Sequence, residues 1–117
     1  MSDCERNDVR KELSALAKMT KQLAEEVPAM QAAFTNFMGE CLCDGVLSLK
    51  IRELVCIGAA VAKSCKPCIV AHVSKALAAG ANRAEIIEAG YMGVLMGGGP
   101  GFIYMQYLLE ALDELDK

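Results

Sequence analysis

Residues 65–72 of this chain read Cys-Lys-Pro-Cys-Ile-Val-Ala-His. On a helix, Cys65 and Cys68 are i, i+3 neighbours, and Cys68 and His72 are i, i+4 neighbours. Two thiols, which can form a disulfide, and the chain's single histidine, which can move a proton, would then share one face. Pro67 suits the first turn of a helix, so this stretch predicts a helix that begins with a reactive pair.

The sequence before this stretch predicts three further helices. Apolar residues recur with a period near 3.6 over residues 9–23, which indicates an amphipathic first helix that ends before Pro28. Pro28 can open a second helix that ends near Gly39. After a short connection, Ser48 is a suitable N-cap for a third helix over residues 49–63.

The sequence after the motif predicts the rest of a helical bundle. Gly80 is a typical C-terminal stop for the motif helix, and residues 82–85 resemble a capping box that opens a fifth helix. The glycine-rich residues 97–101 end that helix, and residues 102–115 form a sixth. The chain contains no alternating β-branched run that favours a strand, so the expected fold class is all-α.

The length of 117 residues indicates one domain over residues 1–117, with N-terminal helices in residues 1–45 and a motif-bearing core in residues 46–117. The composition is 54% hydrophobic and 23% charged. Small monomers rarely expose large apolar patches, so we expect subunit interfaces to cover the surplus in a homo-oligomer.

Charge and hydropathy exclude two classes of partner. The net charge is −3 and there is no basic run, which argues against nucleic acid. Residues 89–109 carry no charge, but residues 97–101 break that run into halves too short to cross a membrane. The N-terminus does not resemble a secretory signal, so we expect a cytoplasmic protein, where a CxxC pair is more often catalytic or metal-binding than structural.

A catalytic cysteine needs nearby groups that favour its thiolate, because a free thiol is mostly protonated at neutral pH. The first helical turn offers a positive dipole end to Cys65 or Cys68, and His72 can accept or relay a proton. Glu53 lies twelve residues before Cys65 on the preceding helix, and antiparallel packing could aim it at the same spot. The predicted catalytic residues are therefore Cys68, Cys65, His72 and Glu53.

A metal-binding or purely structural oligomer is the alternative interpretation of the same residues. Cys65, Cys68 and His72 could be three zinc ligands, although structural zinc sites usually draw their ligands from two separated pairs and the chain has no second CxxC.

Other residues near the motif also have simpler interpretations. Glu53 could be a surface partner of Lys50 at i, i+3. Cys56 fits a small core residue. The remaining cysteines also have no histidine within helical reach: Cys4, Cys41 and Cys43. Four apolar residues would suit an organic hydroperoxide better than hydrogen peroxide, and they fit a plain core equally well: Ile57, Ile69, Val70 and Phe102.

The residues quoted so far resemble a known family. The pattern begins with Glu53, twelve residues before Cys65, and continues with Cys68 and His72. It is followed by Gly-Ala at residues 80–81 and by Met-Gly-Gly-Gly-Pro at residues 96–100. This pattern is similar to the alkylhydroperoxidase D-like branch of the carboxymuconolactone decarboxylase family. The resemblance covers residues 49–104.

The resemblance implies an all-helical subunit that assembles into trimers or hexamers, with thiol peroxidase or disulfide reductase activity and no metal or haem cofactor. Cys68 would attack the peroxide, Cys65 would resolve the sulfenic acid to a disulfide, and Glu53 and His72 would handle protons. A lipoyl group or a thioredoxin-like protein would restore the thiols. In the hydroperoxidases of this branch a second histidine lies between the cysteines, where this chain has Pro67.

Lactone decarboxylation is the other activity that the family name suggests. The decarboxylases of the family lack the CxxC pair, so the presence of Cys65 and Cys68 favours the redox activity.

Overall fold

The computed structural model describes the backbone of residues 3–116 and the side chains of residues 8–116. This part of the chain forms helices and no strand, which confirms the predicted all-α fold. The helices are α1 (Asp3–Glu26), α2 (Pro28–Cys41), α3 (Leu49–Ala62), α4 (Lys66–Ala78), α5 (Arg83–Gly97) and α6 (Gly99–Leu115).

Local capping chemistry sets the helix starts. The Ser48 hydroxyl accepts a hydrogen bond from the Ile51 N–H at 3.2 Å at the start of α3. At the start of α5, the Glu85 N–H donates to the Asn82 side chain at 2.9 Å, and the Asn82 N–H donates back to the Glu85 carboxylate at 3.0 Å. These bonds satisfy backbone donors that a helix start leaves open, and both predicted starts are confirmed.

Two helix boundaries differ from the prediction. The second helix extends to Cys41 rather than ending near Gly39. The sixth helix begins at Gly99 rather than Phe102, because Pro100 lies in its first turn, where a missing N–H breaks no bond. Gly98, with a φ of 69°, makes the corner between α5 and α6 without steric cost.

The core lies between α3, α4, α5 and α6, with the first part of α1 packed against it. Each fully buried branched side chain contributes about 1.5–3 kcal/mol relative to an exposed one. The apolar side chains with no exposed surface include Ile57, Val61, Ile69, Val73, Ile86, Leu108 and Leu112. The helices α3 and α4, which carry Glu53 and the motif, are therefore anchored in the buried core.

Glycines let α5 approach α3 closely. A Cβ added at Gly93 would lie 2.7 Å from the Cβ of Val61 and would collide with the carbonyl oxygen of Gly58. A Cβ added at Gly97 would lie 2.9 Å from the Cα of Ala62. Both distances are too short for real carbon contacts, so the helix pairing that supports α3 depends on these two residues.

The second helix stands apart from this core. It packs chiefly against α1, and none of its residues is buried. Met30 is 75% exposed, Phe34 55% and Phe37 64%. A single chain therefore leaves a large apolar surface open on α2, of the kind that marks an interaction site.

The uncharged residues 89–109 are divided between α5 and α6. No helix within residues 3–116 combines the length and the apolar character needed to cross a bilayer.

Candidate active site

The turn between α3 and α4 fixes the position of Cys65. The Ser64 N–H donates to the Val61 carbonyl, and the Cys65 N–H donates to the Ala60 carbonyl, both at 3.1 Å. These are the two bonds of a Schellman motif, which needs a left-handed residue after the helix. Ser64 takes that conformation with a φ of 52°, at a cost of roughly 1–3 kcal/mol for a residue other than glycine. The last turn of α3 thereby holds the backbone of Cys65.

Cys65 is also the N-cap of α4. Its Sγ accepts a hydrogen bond from the Cys68 N–H at 3.3 Å, and the two cysteines are joined by a disulfide with a Cα–Cα distance of 5.3 Å. Both residues are half-buried. The pair therefore lies at the positive end of the α4 dipole, where a thiolate is stabilised after reduction.

Glu53 and His72 meet between α3 and α4. The Nδ1 atom of His72 lies 2.7 Å from Oε1 of Glu53. The Glu53 side chain is 2% exposed and that of His72 is 22% exposed. A carboxylate accepts hydrogen bonds, so the bond favours a proton on Nδ1 and leaves Nε2 as the nitrogen that can exchange protons. Cys68 precedes His72 by one turn on the same helix.

The surface interpretation of Glu53 is wrong. Lys50 does not pair with it; the Lys50 ammonium lies 2.8 Å from the Glu85 carboxylate on α5. That hydrogen bond from Lys50, followed by the backbone bond from Asn82, lowers the pKa of Glu85 below its usual value. Glu53 instead turns inward, and the antiparallel packing expected from the sequence brings it to the motif helix.

Cys56 also belongs to this neighbourhood, which sequence reasoning missed. Suitable ligand atoms of Cys56, Glu53 and His72 all lie within 4.8 Å of one another. Burial, and then the negative charge of Glu53, raise the pKa of the Cys56 thiol. Cys56 is only half-buried, so it is not the plain core residue that its sequence context suggested. Its i, i+3 spacing from Glu53 places both residues on one face of α3, but the sequence gives no sign of the contact with His72 on α4.

The other described cysteines lie outside the site. Cys41 and Cys43 are exposed free thiols at the end of α2 and in the loop that follows. The Arg52 guanidinium donates to the carbonyls of Glu40 and Cys41 at 3.0 and 3.1 Å, which ties the end of α2 to α3. The side chain of Cys4 lies outside the described residues.

The apolar residues expected around the motif are divided between core and surface. Ile57, Ile69 and Val70 are at most 1% exposed, so they are core residues. Phe102 is 56% exposed on α6.

A groove of about 440 Å³ lies beside Glu53. Glu53 forms part of its wall, and Lys75 contributes a charged side chain from α4. The rest of the lining is largely apolar and includes Met38, Leu42, Leu49 and Ala78.

The fold and the site define a class of protein: a helical bundle with a dithiol–disulfide pair at the start of a core helix, backed by a buried carboxylate–imidazole pair. The chain belongs to the carboxymuconolactone decarboxylase family, whose model matches residues 28–113.

Two relatives are similar to most of the chain. An uncharacterized protein of Cupriavidus necator is 32% identical over 109 residues, which cover 93% of this chain and 96% of that protein. Uncharacterized protein 4 in the cox locus of Paracoccus denitrificans is 30% identical over 84 residues, which cover 72% of this chain and 76% of that protein.

Solved structures show the same fold. The apo form of a carboxymuconolactone decarboxylase family protein from Legionella pneumophila superposes with a TM-score of 0.90 at 31% identity, covering 95% of this chain and 99% of that one. A Thermotoga maritima member of the family, described as having a possible involvement in antioxidative response, gives a TM-score of 0.82 at 24% identity, covering 91% and 90%.

Proposed function

We propose that this protein is a cysteine-based oxidoreductase that reduces hydroperoxides, or exchanges disulfides, through Cys65 and Cys68. The observation that carries the proposal is the pairing of these two sulfurs at the start of α4. The partly buried Glu53–His72 hydrogen bond supplies proton-transfer groups next to that helix start.

The proposed reaction has three steps. The Cys68 thiolate attacks one peroxide oxygen and breaks the O–O bond; the leaving alkoxide takes up a proton, giving an alcohol and a Cys68 sulfenic acid. The Cys65 thiol then displaces water from the sulfenic acid, which forms the disulfide. An external dithiol reduces the disulfide by two thiol–disulfide exchanges and is itself oxidised.

His72 and Glu53 handle the protons in this scheme. The imidazole removes the proton of the Cys68 thiol and returns it to the leaving oxygen, and the carboxylate fixes the imidazole tautomer and balances its positive charge. General acid–base help of this kind is worth about 10²–10⁴-fold in rate. No metal or haem cofactor takes part in these steps.

The alternative functions have less support. Lactone decarboxylation has no use for a pair of bonded sulfurs. Cys65 and Cys68 cannot be metal ligands together with His72 while they are joined to each other. The pairing therefore favours the redox function.

The proposal includes the partners and the setting. The substrate is a hydroperoxide or a disulfide, and the reductant is a lipoyl protein or a thioredoxin-like protein in the cytoplasm. Copies of the chain assemble as a trimer or hexamer. The exposed apolar side chains of α2, such as Phe34 and Phe37, support such an assembly because water contact with them is unfavourable.

A turnover assay tests the proposal. With cumene hydroperoxide as oxidant and dihydrolipoamide as reductant, the Cys65→Ser/Cys68→Ser variant should lose about 10³-fold or more of the catalysed rate, because both electron-carrying sulfurs are gone. The matched control is Cys41→Ser/Cys43→Ser, which removes two exposed thiols and should keep the full rate. Full activity in the first variant would rule out the proposed site.

A further inference from the structure

A second set of donor atoms lies beside the disulfide and does not include it. We propose that Glu53, Cys56 and His72 bind a divalent cation with zinc-type preferences. The three residues come from two core helices: Glu53 and Cys56 are one turn apart on α3, and His72 reaches them from α4. Their ligand atoms all lie within 4.8 Å of one another.

The distances are close to those that zinc requires. With bonds of about 2.0 Å to nitrogen or oxygen and 2.3 Å to sulfur, tetrahedral ligands lie roughly 3.3–3.6 Å apart. The carboxylate and imidazole of the present pair are 2.7 Å apart, so inserting a cation requires them to separate by about half an ångström.

The donor set also fits. One carboxylate, one thiolate and one imidazole supply the oxygen, sulfur and nitrogen atoms that zinc binds, and three protein ligands leave a fourth position for water. The two negative charges of Glu53 and Cys56 balance a dication in a largely buried setting. The positive charge of Lys75 is close enough to Cys56 to lower the pKa of its thiol, so it also repels a cation bound there. The Lys75 side chain is exposed, and water therefore screens this repulsion.

This set differs from a site made of Cys65, Cys68 and His72. Because it uses Cys56, it stays available when the CxxC pair is oxidised. The cation takes the place of the proton between Glu53 and His72. A further consequence rests on the proposed function: a bound cation prevents both residues from transferring protons and slows the peroxide step.

The test is cobalt binding to the full-length protein with its Cys65–Cys68 disulfide intact. Co²⁺ added without other ligands should bind in one equivalent per chain and produce a thiolate-to-cobalt charge-transfer band, and Zn²⁺ should remove the band by displacement. Cys56→Ser should abolish the band and weaken binding by about 100-fold or more, since even indirect partners of metal ligands are worth about 10–100-fold. Cys43→Ser should leave the band and the affinity unchanged, because the Cys43 thiol is exposed in the loop after α2.

His72→Asn provides a second variant, which should weaken Co²⁺ binding while keeping a cysteine at position 56. Far-ultraviolet circular dichroism verifies that both variants remain helical. A wild-type protein that shows no thiolate band, or a band that persists in folded Cys56→Ser, would overturn the metal site. Neither result depends on the peroxide assay, so the metal site and the proposed function can each be wrong without the other.

Discussion

Replacing Cys68 by serine is expected to abolish peroxide turnover, with a loss of about 10³-fold or more, because a hydroxyl cannot replace the nucleophilic thiolate. Cys65→Ser should also stop turnover, but it should retain the first step. That variant lacks the resolving thiol, so a sulfenic acid on Cys68 should accumulate after peroxide addition. Dimedone labelling followed by peptide mass spectrometry measures it.

The hydrogen bond at the start of α4 bears on which of the two cysteines attacks the peroxide. The Cys65 Sγ accepts the Cys68 N–H at the start of α4, so the helix end favours a thiolate at Cys65 rather than at Cys68. A stabilised thiolate is also the better leaving group, so Cys65 would leave readily when an external dithiol attacks the Cys68 sulfur. Dimedone label on the Cys68→Ser protein would reverse the two roles and leave the pair itself in place.

Replacing Glu53 by glutamine is expected to slow the reaction of the reduced protein with peroxide by about 10²–10⁴-fold. Glutamine has nearly the same shape and can still hydrogen-bond to Nδ1 of His72, but it cannot balance an imidazolium charge or fix the tautomer. Stopped-flow measurement of thiol loss across a range of pH gives the rate. Both the rate and its dependence on pH should change.

Glu88→Gln is the matched control, because Glu88 lies exposed on α5 and the same change of charge should leave the rate unaltered. Thermal melting of both variants separates a folding defect from a catalytic one. A folded Glu53→Gln protein with the wild-type rate and pH profile would exclude Glu53 from proton transfer.

Most of the fold could be predicted because its signals are local. The N-caps at Ser48 and Asn82 and the proline at position 28 act within one helical turn, and the apolar periodicity of α1 is a property of that helix alone. The start of α6 was harder, because three consecutive glycines before Pro100 are compatible with both a corner and a helical turn. Pro100, which suits the first turn of a helix, places the start at Gly99.

The site could be predicted in part for the same reason. Cys65, Cys68 and His72 belong to one helix, so their spacing fixes their common face. Glu53 required only a short turn between two antiparallel helices. Cys56 was missed because its histidine neighbour lies on another helix, and no spacing along one element reports that contact.

The central claim is that the sulfur atoms of Cys65 and Cys68 form the redox-active pair. Disulfide mapping tests this claim most directly. The fully reduced protein is mixed with one equivalent of cumene hydroperoxide, free thiols are blocked, and peptides are identified by mass spectrometry. We predict one disulfide per subunit, joining Cys65 to Cys68, with Cys41, Cys43 and Cys56 still reduced. A bond that instead involves Cys41 or Cys43, or peroxide loss with no disulfide, would contradict the account.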